Sequence, residues 1–388
     1  MIKSGKVLLL LLFTIVLFLF LFSCNESSEK PDQTNTIFLK FDPNTLPSPS
    51  PLSEIVEKIR LIPLETNPEC LISDVIRAFI GEKYILAVSN GNRQYLFLFT
   101  LEGKFIRKIG HQGKGPGEYI NISYISVFED MEQVYISTGV KGDMLVFNFN
   151  GDFIRKIKGI QGSFASKRVG PDQTAYTTYL DYEIKIVNEK KEDTLSLFPV
   201  DPENIVYHTS YLYGSENGGF FYALSGKDVI WKVEKDSLVP AIVCDFGSGS
   251  LSPKELINYA LTGRLPAGKL VIDGFPFYGA GYYHFLLLQE DKKGEEKAFD
   301  ILVDEESHQS WFIKSSPESD DILFSDAYFF KNSANTGEMI SVAYAIDLIN
   351  GLPKIKENKS FSYDSKTIKQ IEQLSEEDNP VLVLFTLK

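Results

Sequence analysis

Leu98-Phe99-Thr100-Leu101-Glu102-Gly103-Lys104-Phe105-Ile106-Arg107-Lys108-Ile109 returns 48 positions later as Val146-Phe147-Asn148-Phe149-Asn150-Gly151-Asp152-Phe153-Ile154-Arg155-Lys156-Ile157, and seven of the twelve paired positions are identical. Each copy reads as a strand, a tight turn at its glycine, and a second strand. A repeat of 40 to 50 residues carrying several short strands is the signature of propeller blades, whose sheets cannot bury their faces alone and do so by stacking.

Further short runs with period-two alternation lie on both sides of this pair, among them Tyr84 to Val88, Tyr95 to Thr100, Gln133 to Ser137 and Met144 to Phe149. Ala175 to Val187 with Thr194 to Val200 suggests a third blade. Phe220 to Leu224, Asp228 to Val233 and Ala241 to Phe246 suggest a fourth. Tyr282 to Gln289, Ala298 to Val303 and Trp311 to Lys314 suggest a fifth, and Met339 to Ile346 belongs to a sixth. The strand near Leu61 and the final run Pro380 to Leu387 are placed to complete one blade together, which removes exposed edges. Two segments leave the β pattern. Ser252-Pro253-Lys254-Glu255 carries an N-cap, a first-position proline and a glutamate three residues on, predicting a helix to about Leu261. Ser365 to about Leu374 has Ile368, Ile371 and Leu374 on one face. The expected class is all-β: a six-bladed propeller of four-stranded antiparallel blades over residues 54–388, with two short inserted helices.

The N-terminus reads differently. Lys3 and Lys6 precede an apolar run from Val7 to Phe22, and Ser23-Cys24 follows, the pattern of a secretory signal over residues 1–23. A cysteine directly after the apolar run resembles the lipobox of bacterial lipoproteins, in which the thiol is acylated. The alternative is an uncleaved anchor, and either places the remainder outside the cytoplasm. Residues 24–53, with Pro43, Pro47, Pro49 and Pro51, read as a flexible Pro-rich tether.

With these residues in place, the chain resembles the six-bladed β-propeller lipoproteins of Bacteroidetes, which are similar to NHL-repeat propellers. Phe105 to Tyr119, containing Gly110-His111-Gln112-Gly113-Lys114-Gly115-Pro116-Gly117-Glu118, looks like the NHL inter-blade segment. Asn90-Gly91-Asn92-Arg93 looks like the turn before an outer strand, and Glu377-Asp378-Asn379-Pro380 like the usual ending. The resemblance implies an envelope location, with the outer membrane as the expected site, and no single activity.

Composition narrows the function classes. The formal net charge of −13 argues against nucleic acid as a partner. Twenty-nine Phe and 19 Tyr supply a large core. Gly113 to Gly117 would cradle a phosphate only by opening a helix, whereas strand-like Ile122 to Phe128 follows, so the loop reads as an inter-blade connection. His111, His208, His284 and His308 are widely separated, and a metal site needs several of them to converge in the fold; no metal and no cofactor is predicted. Asp304-Glu305-Glu306, Asp320-Asp321 and Glu376-Glu377-Asp378 lack the alternation of a calcium loop. Cys70 and Cys244 read as two buried thiols, with a disulfide between them as the alternative. Arg107-Lys108 and Arg155-Lys156 read as solvated strand faces. The aromatic segments Phe275 to Tyr283 and Tyr207 to Tyr213 are read as loops, with Tyr211, Tyr213, Phe277, Tyr278 and Tyr282 as a candidate binding surface; blade core is the competing reading. Two functions follow as expectations: an envelope-anchored binding or scaffold module for a protein, peptide or glycan, or a channel-site enzyme of metal-dependent lyase or lactonase type.

Cys24→Ser is expected to abolish incorporation of a radiolabelled fatty acid in cells and to shift the protein from the membrane to the soluble envelope fraction. Retained label would remove the lipobox reading.

Overall fold

A computed structural model describes residues 36–388, apart from 90–92, 139–142, 162, 171, 179–180, 200–209, 215–219, 225–227, 235–236, 292–293, 315–319, 325–327 and 334–336. The unit from Thr36 to Lys388 is a six-bladed β-propeller. Two strands precede the first complete blade: β1 (Ile37–Lys40) and β2 (Val56–Pro63). Blade one is β3 (Val75–Ile80), β4 (Tyr84–Ser89), β5 (Leu96–Thr100) and β6 (Phe105–Ile109). Blade two is β7 (Tyr124–Phe128), β8 (Gln133–Ser137), β9 (Met144–Asn148) and β10 (Phe153–Ile157). Blade three is β11 (Ser163–Gly170), β12 (Gln173–Thr178), β13 (Tyr182–Asn188) and β14 (Asp193–Pro199). Blade four is β15 (Ser210–Gly214), β16 (Phe220–Leu224), β17 (Val229–Glu234) and β18 (Ser237–Asp245). Blade five is β19 (Leu270–Gly279), β20 (Tyr282–Glu290), β21 (Glu296–Asp304) and β22 (Ser310–Lys314). Blade six takes β23 (Tyr328–Ser333), β24 (Met339–Ala343) and β25 (Val381–Leu387), and β2 is its outermost strand.

The expected closure is therefore present. Ile59 lies opposite Phe385 and Leu61 opposite Val383 in the antiparallel β2–β25 ladder. Asn379, buried at the start of β25, fastens the link from blade six to blade one. Its Oδ1 accepts from Ile72 N at 2.8 Å, and its Nδ2 donates to the Glu65 and Cys70 carbonyls at 2.7 and 2.6 Å. An apolar cluster of Ile62, Val75, Phe97, Phe99, Leu382 and Leu384 fills the seam between these two blades. Cys70 and Cys244 are separate buried free thiols in two different clusters.

Three local expectations need correction. First, the segment from Thr36 to Ser53 is not a flexible spacer. β1 adds a fifth strand to blade four, parallel to β18, with Ile37 opposite Ile242. Phe41 is buried against Phe246 and Phe312, with ring centroids 5.7 and 5.3 Å away. Ser50 N then donates to the Phe312 carbonyl at 2.6 Å, and Ser53 N to Asp321 Oδ1 at 3.0 Å. Residues 36–55 thus form a belt across the outer edges of blades four and five before entering blade six. The prolines supplied the spacer reading, and they suit this belt too, because it runs between blade edges without needing most of its own N–H groups.

Second, there are more helices than two. Pro253–Thr262 is capped as expected: Ser252 and Glu255 form a reciprocal capping box. Ser365–Glu372 starts at the Asp364 N-cap. Leu52–Ile55 and Ala345–Glu357 are additional. The run expected as strand from Met339 to Ile346 ends at Ala343, and the chain turns into the second of these. Its buried residues Ala345, Leu348, Gly351 and Ile355 recur at three- and four-residue steps, the period of a helix face rather than a strand. Third, the two aromatic loops are strands: Tyr211 and Tyr213 lie in β15, and Phe277 and Tyr278 lie in β19.

The seam between blades two and three is polar. Arg168, only 2% exposed, donates to Thr174 Oγ1 at 2.9 Å, pairs with Glu189, and lies over the Tyr135 ring at 5.0 Å. The Ser137 and Ser166 hydroxyls meet at 3.0 Å across the same seam. Removing Arg168 would leave the Thr174 hydroxyl, at 3.0 Å, as the remaining donor to Glu189 Oε1 among the described residues, and breaking a buried pair costs about 3–5 kcal/mol before discounting for the partial exposure of Glu189.

Two predictions test these contacts. Gly103 and Gly151 occupy equivalent repeat positions with φ of +81° and +87°. A Cβ on Gly103 would collide with the Pro63 carbonyl, whereas one on Gly151 would sit 3.1 Å from the Lys108 carbonyl. Gly103→Ala should therefore lower the urea midpoint clearly more than Gly151→Ala, by a difference of about 1–3 kcal/mol; equal losses would contradict the packing difference. Arg168→Leu should destabilise by about 2–4 kcal/mol in the same assay, after the exposure discount, and an unchanged midpoint would show that the pair contributes nothing.

Candidate functional site

In a propeller the first strand of each blade is innermost and lines the axis. The inner strands meet in sequence around the ring: β7 with β11, β11 with β15, β15 with β19, β19 with β23, and β23 with β3. Three polar side chains with described environments project from this inner wall. Arg77 lies on β3, Tyr124 on β7 and Lys167 on β11. The Arg77 guanidinium sits 4.9 Å over the centre of the Tyr124 ring, joining blades one and two. Lys167 is on blade three, which does not neighbour blade one, yet it feels the Arg77 charge.

Neighbouring residues on β11 divide the labour. Side chains alternate across a strand, so Arg168 enters the seam with blade two while Lys167 takes the opposite side. Each of Arg77, Tyr124 and Lys167 keeps part of its surface accessible although protein surrounds it. That combination describes half-buried polar positions on three inner strands. Burial, reinforced by the Arg77 charge, pushes the Lys167 amine down to about 8. Burial also lowers Arg77, partly offset by Tyr124, and raises the Tyr124 phenol against the opposing effect of Arg77. No ion pair reaches Lys167 among the described residues.

The residues singled out from sequence separate into several places. Cys24 and His208 lie outside the described residues, as do the side chains of Tyr211, Tyr213 and Phe277. Tyr278 and Tyr283 both donate to Glu305, the latter at 3.1 Å, with their rings 4.8 Å apart. Tyr282 is buried, packs on Trp311, and donates to the Lys388 carbonyl at 2.7 Å. Tyr278 and Tyr282 thus belong to the packing of the β19–β20 hairpin.

The histidines that are described do not converge. His284 and Asp300 form a buried contact of 2.7 Å on neighbouring strands of blade five. His308 lies in an exposed turn of the same blade, and His111 is in the link between blades one and two. Among the described residues no three of His, Cys, Asp or Glu form a metal-holding group. The glycine-rich loop holds the chain's own carboxylate. Glu118 accepts from Gly115 N at 2.6 Å and contacts His111 Nε2 at 2.8 Å, and these bonds keep its carboxyl below the usual range. The acidic clusters likewise cap turns: Asp320 accepts from Ile322 N and Leu323 N, and Asp378 from Ser375 N. Lys108 lies 4.5 Å from the Tyr95 ring centre, and Lys156 pairs with Asp143 at 2.5 Å.

Sequence reading missed the channel trio. Its only signal was the placement of a basic or aromatic residue near the start of successive units, at Arg77, Tyr124 and Lys167. The spacing is not constant, which hides it from a repeat comparison.

The model of a family described as "Domain of unknown function (DUF4934)" matches residues 36–386. No curated protein matches the chain. Among solved structures, a presumed exported protein from Bacteroides fragilis NCTC 9343 has a TM-score of 0.68 at 15% identity, covering 91% of this chain and 99% of that one. A member of the DUF4221 family from Bacteroides vulgatus has a TM-score of 0.50 at 9% identity, covering 86% of this chain and 97% of its own. At these identities the likeness concerns the fold.

Proposed function

The chain belongs to the DUF4934 family, and from that premise we propose that it is an exported, lipid-anchored binding module whose propeller holds a protein, peptide or glycan at the cell envelope. The observation that carries the reading is the inner wall at Arg77, Tyr124 and Lys167. Fixed charges and an aromatic face from three separate blades meet there on a closed ring. Rigid presentation of such groups lowers the ordering cost of recognition. The signal-like start and Cys24 support lipid anchoring, with the outer membrane as the expected site, and the presumed export of the Bacteroides fragilis protein agrees with an envelope location.

A channel-site enzyme is the second reading, and Lys167 is the observation in its favour. An amine that titrates near 8 is available as a base or nucleophile at mildly alkaline pH.

Chemical cross-linking in intact cells, followed by affinity purification of the full-length lipoprotein, is the test. A reproducible envelope component should be recovered with the native chain and lost with the paired substitution Tyr211→Ala and Tyr213→Ala on inner strand β15. Recovery of the protein alone under several cross-linker lengths would remove the binding-module reading and leave the enzyme.

A further inference from the structure

We propose that the exposed face of helix Pro253–Thr262 rests on the lipid surface that holds the anchor, with Ile257 and Leu261 in the headgroup region and Lys254 and Arg264 against anionic headgroups. The inference rests on the lipid-anchored reading and adds the face of the domain that the membrane touches.

The first ground is the helix itself. Its ten residues rise about 15 Å, too short to cross a bilayer and long enough to lie on one. Leu256 and Tyr259 are buried, Tyr259 against Leu265 and Val271. On the opposite side Lys254, Ile257 and Leu261 recur at three- and four-residue steps and share one face. All three are exposed, Leu261 by 73%. Arg264, also exposed, follows the Gly263 cap. An apolar stripe with a cation at each end is the pattern of a helix that lies in a membrane interface. The nearby carboxylate is engaged elsewhere: Glu255 accepts from Ser252 N at 2.8 Å and pairs with Lys269 at 3.4 Å. Among the described residues neither Lys254 nor Arg264 has an ion-pair partner.

The second ground is the path of the chain. The Thr36 hydroxyl donates to the Pro240 carbonyl of blade four at 2.9 Å. Cys24 stands twelve residues earlier, and twelve residues span about 43 Å at full extension. β1 then follows β18 towards Pro43, and a Cβ on Gly249 would lie 3.2 Å from the Pro43 ring. Gly249 is four residues ahead of the helix. The point where the chain joins the ring and the helix therefore share one sector, at blades four and five, and a short tether keeps that sector near the bilayer. Three of the seven large apolar residues exposed among the described residues lie in it: Phe38 on β1, Ile257 and Leu261. The third ground is charge. A chain of net charge −13 is repelled by an anionic surface, so contact has to be made where cations stand without carboxylate partners, as Lys254 and Arg264 do.

The test uses the full-length acylated chain in vesicles of phosphatidylethanolamine with phosphatidylglycerol. Asn258→Cys, exposed beside Ile257 and Leu261, takes one environment-sensitive fluorophore, because Cys70 and Cys244 are buried. Glu102→Cys, exposed in the β5–β6 hairpin of blade one, is the control position. A nitroxide-bearing lipid should quench the label at 258 more than the label at 102, by about threefold or more. The paired substitution Ile257→Glu and Leu261→Glu should bring quenching at 258 down to the control level, with the chain still held in the vesicles by its anchor. The pair Lys254→Gln and Arg264→Gln should reduce quenching in these vesicles and leave it unchanged in phosphatidylcholine alone. Both pairs lie on the surface of a helix whose buried side they do not touch, and an unchanged urea midpoint checks that they fold.

Equal quenching at 258 and 102 in vesicles that carry the protein would overturn the contact face and leave the lipid anchor standing. So would quenching at 258 that survives the glutamate pair. A blue shift at 258 that grows with protein density, without nitroxide quenching, would assign the face to a second copy of the chain and equally overturn the proposal. A chain that does not partition with vesicles at all would remove the lipid-anchored reading, and the contact face with it.

Discussion

Antiparallel pairing of β2 with β25 joins the first strand of the ring to the last, and every other seam depends on it. Val56 lies opposite Leu387 and Pro63 opposite Val381, so the ladder runs the length of the blade. Without β2, blade six would present β25 as an open edge, with unpaired backbone groups along it. The ring would also lose the ends that hold blades five, six and one in register. The cluster of Ile55, Ile59, Leu61, Leu323, Leu348, Val383 and Phe385 shows how much apolar surface this one pairing organises. The helices Ala345–Glu357 and Ser365–Glu372 lie in the excursion between β24 and β25, and Gln370 reaches the Leu61 carbonyl at 3.2 Å. That excursion therefore braces the closure from outside.

The seams of the ring are not chemically uniform, and the difference has a physical consequence. Blades six and one, and blades one and two, meet through large aliphatic and aromatic clusters. Such contacts depend on shape and tolerate volume-conserving exchange. Blades two and three meet through Arg168, Ser166, Ser137 and the Tyr135 ring. A polar seam is directional: each donor must find its acceptor, so the relative setting of the two blades is specified more sharply. This seam sets β11, which carries Lys167, against blade two, with Arg168 N donating to Ser126 Oγ at 3.2 Å.

Much of the architecture could be read in the residues. The 48-residue repeat of blades one and two, the pairing of terminal strands, the capping box at Ser252 and the helix near Ile371 all stand on local patterns that the fold keeps. The inner strands were harder to see. Their side chains face neighbouring inner strands and the axis rather than a simple in-and-out alternation, so Arg77, Tyr124 and Lys167 interrupt the apolar period that marks a strand. For the same reason β15 and the far end of β19 read as aromatic loops. Tyr278 and Tyr282 looked like a recognition surface because tyrosines often are one, yet their hydroxyls are committed to Glu305 and to the Lys388 carbonyl. Local pattern also could not reveal that Phe41 would find Phe246 and Phe312, since that contact joins segments far apart in the chain.

The belt and the closing strand also set the order of events during synthesis. β2 is made early, but its partner β25 follows roughly 320 residues later, and joining ends so far apart costs about 5 kcal/mol of chain entropy by the logarithmic loop law. β1 must likewise wait for β18. β1 and β2 therefore stay unpaired through most of synthesis, while blades one to three can stack on each other from local hairpins. The emergence of β25 lets the whole ring close. A chain stalled or clipped before β25 would present proteases and chaperones with two waiting edges at once, so that quality control can recognise an unfinished molecule by its open seam.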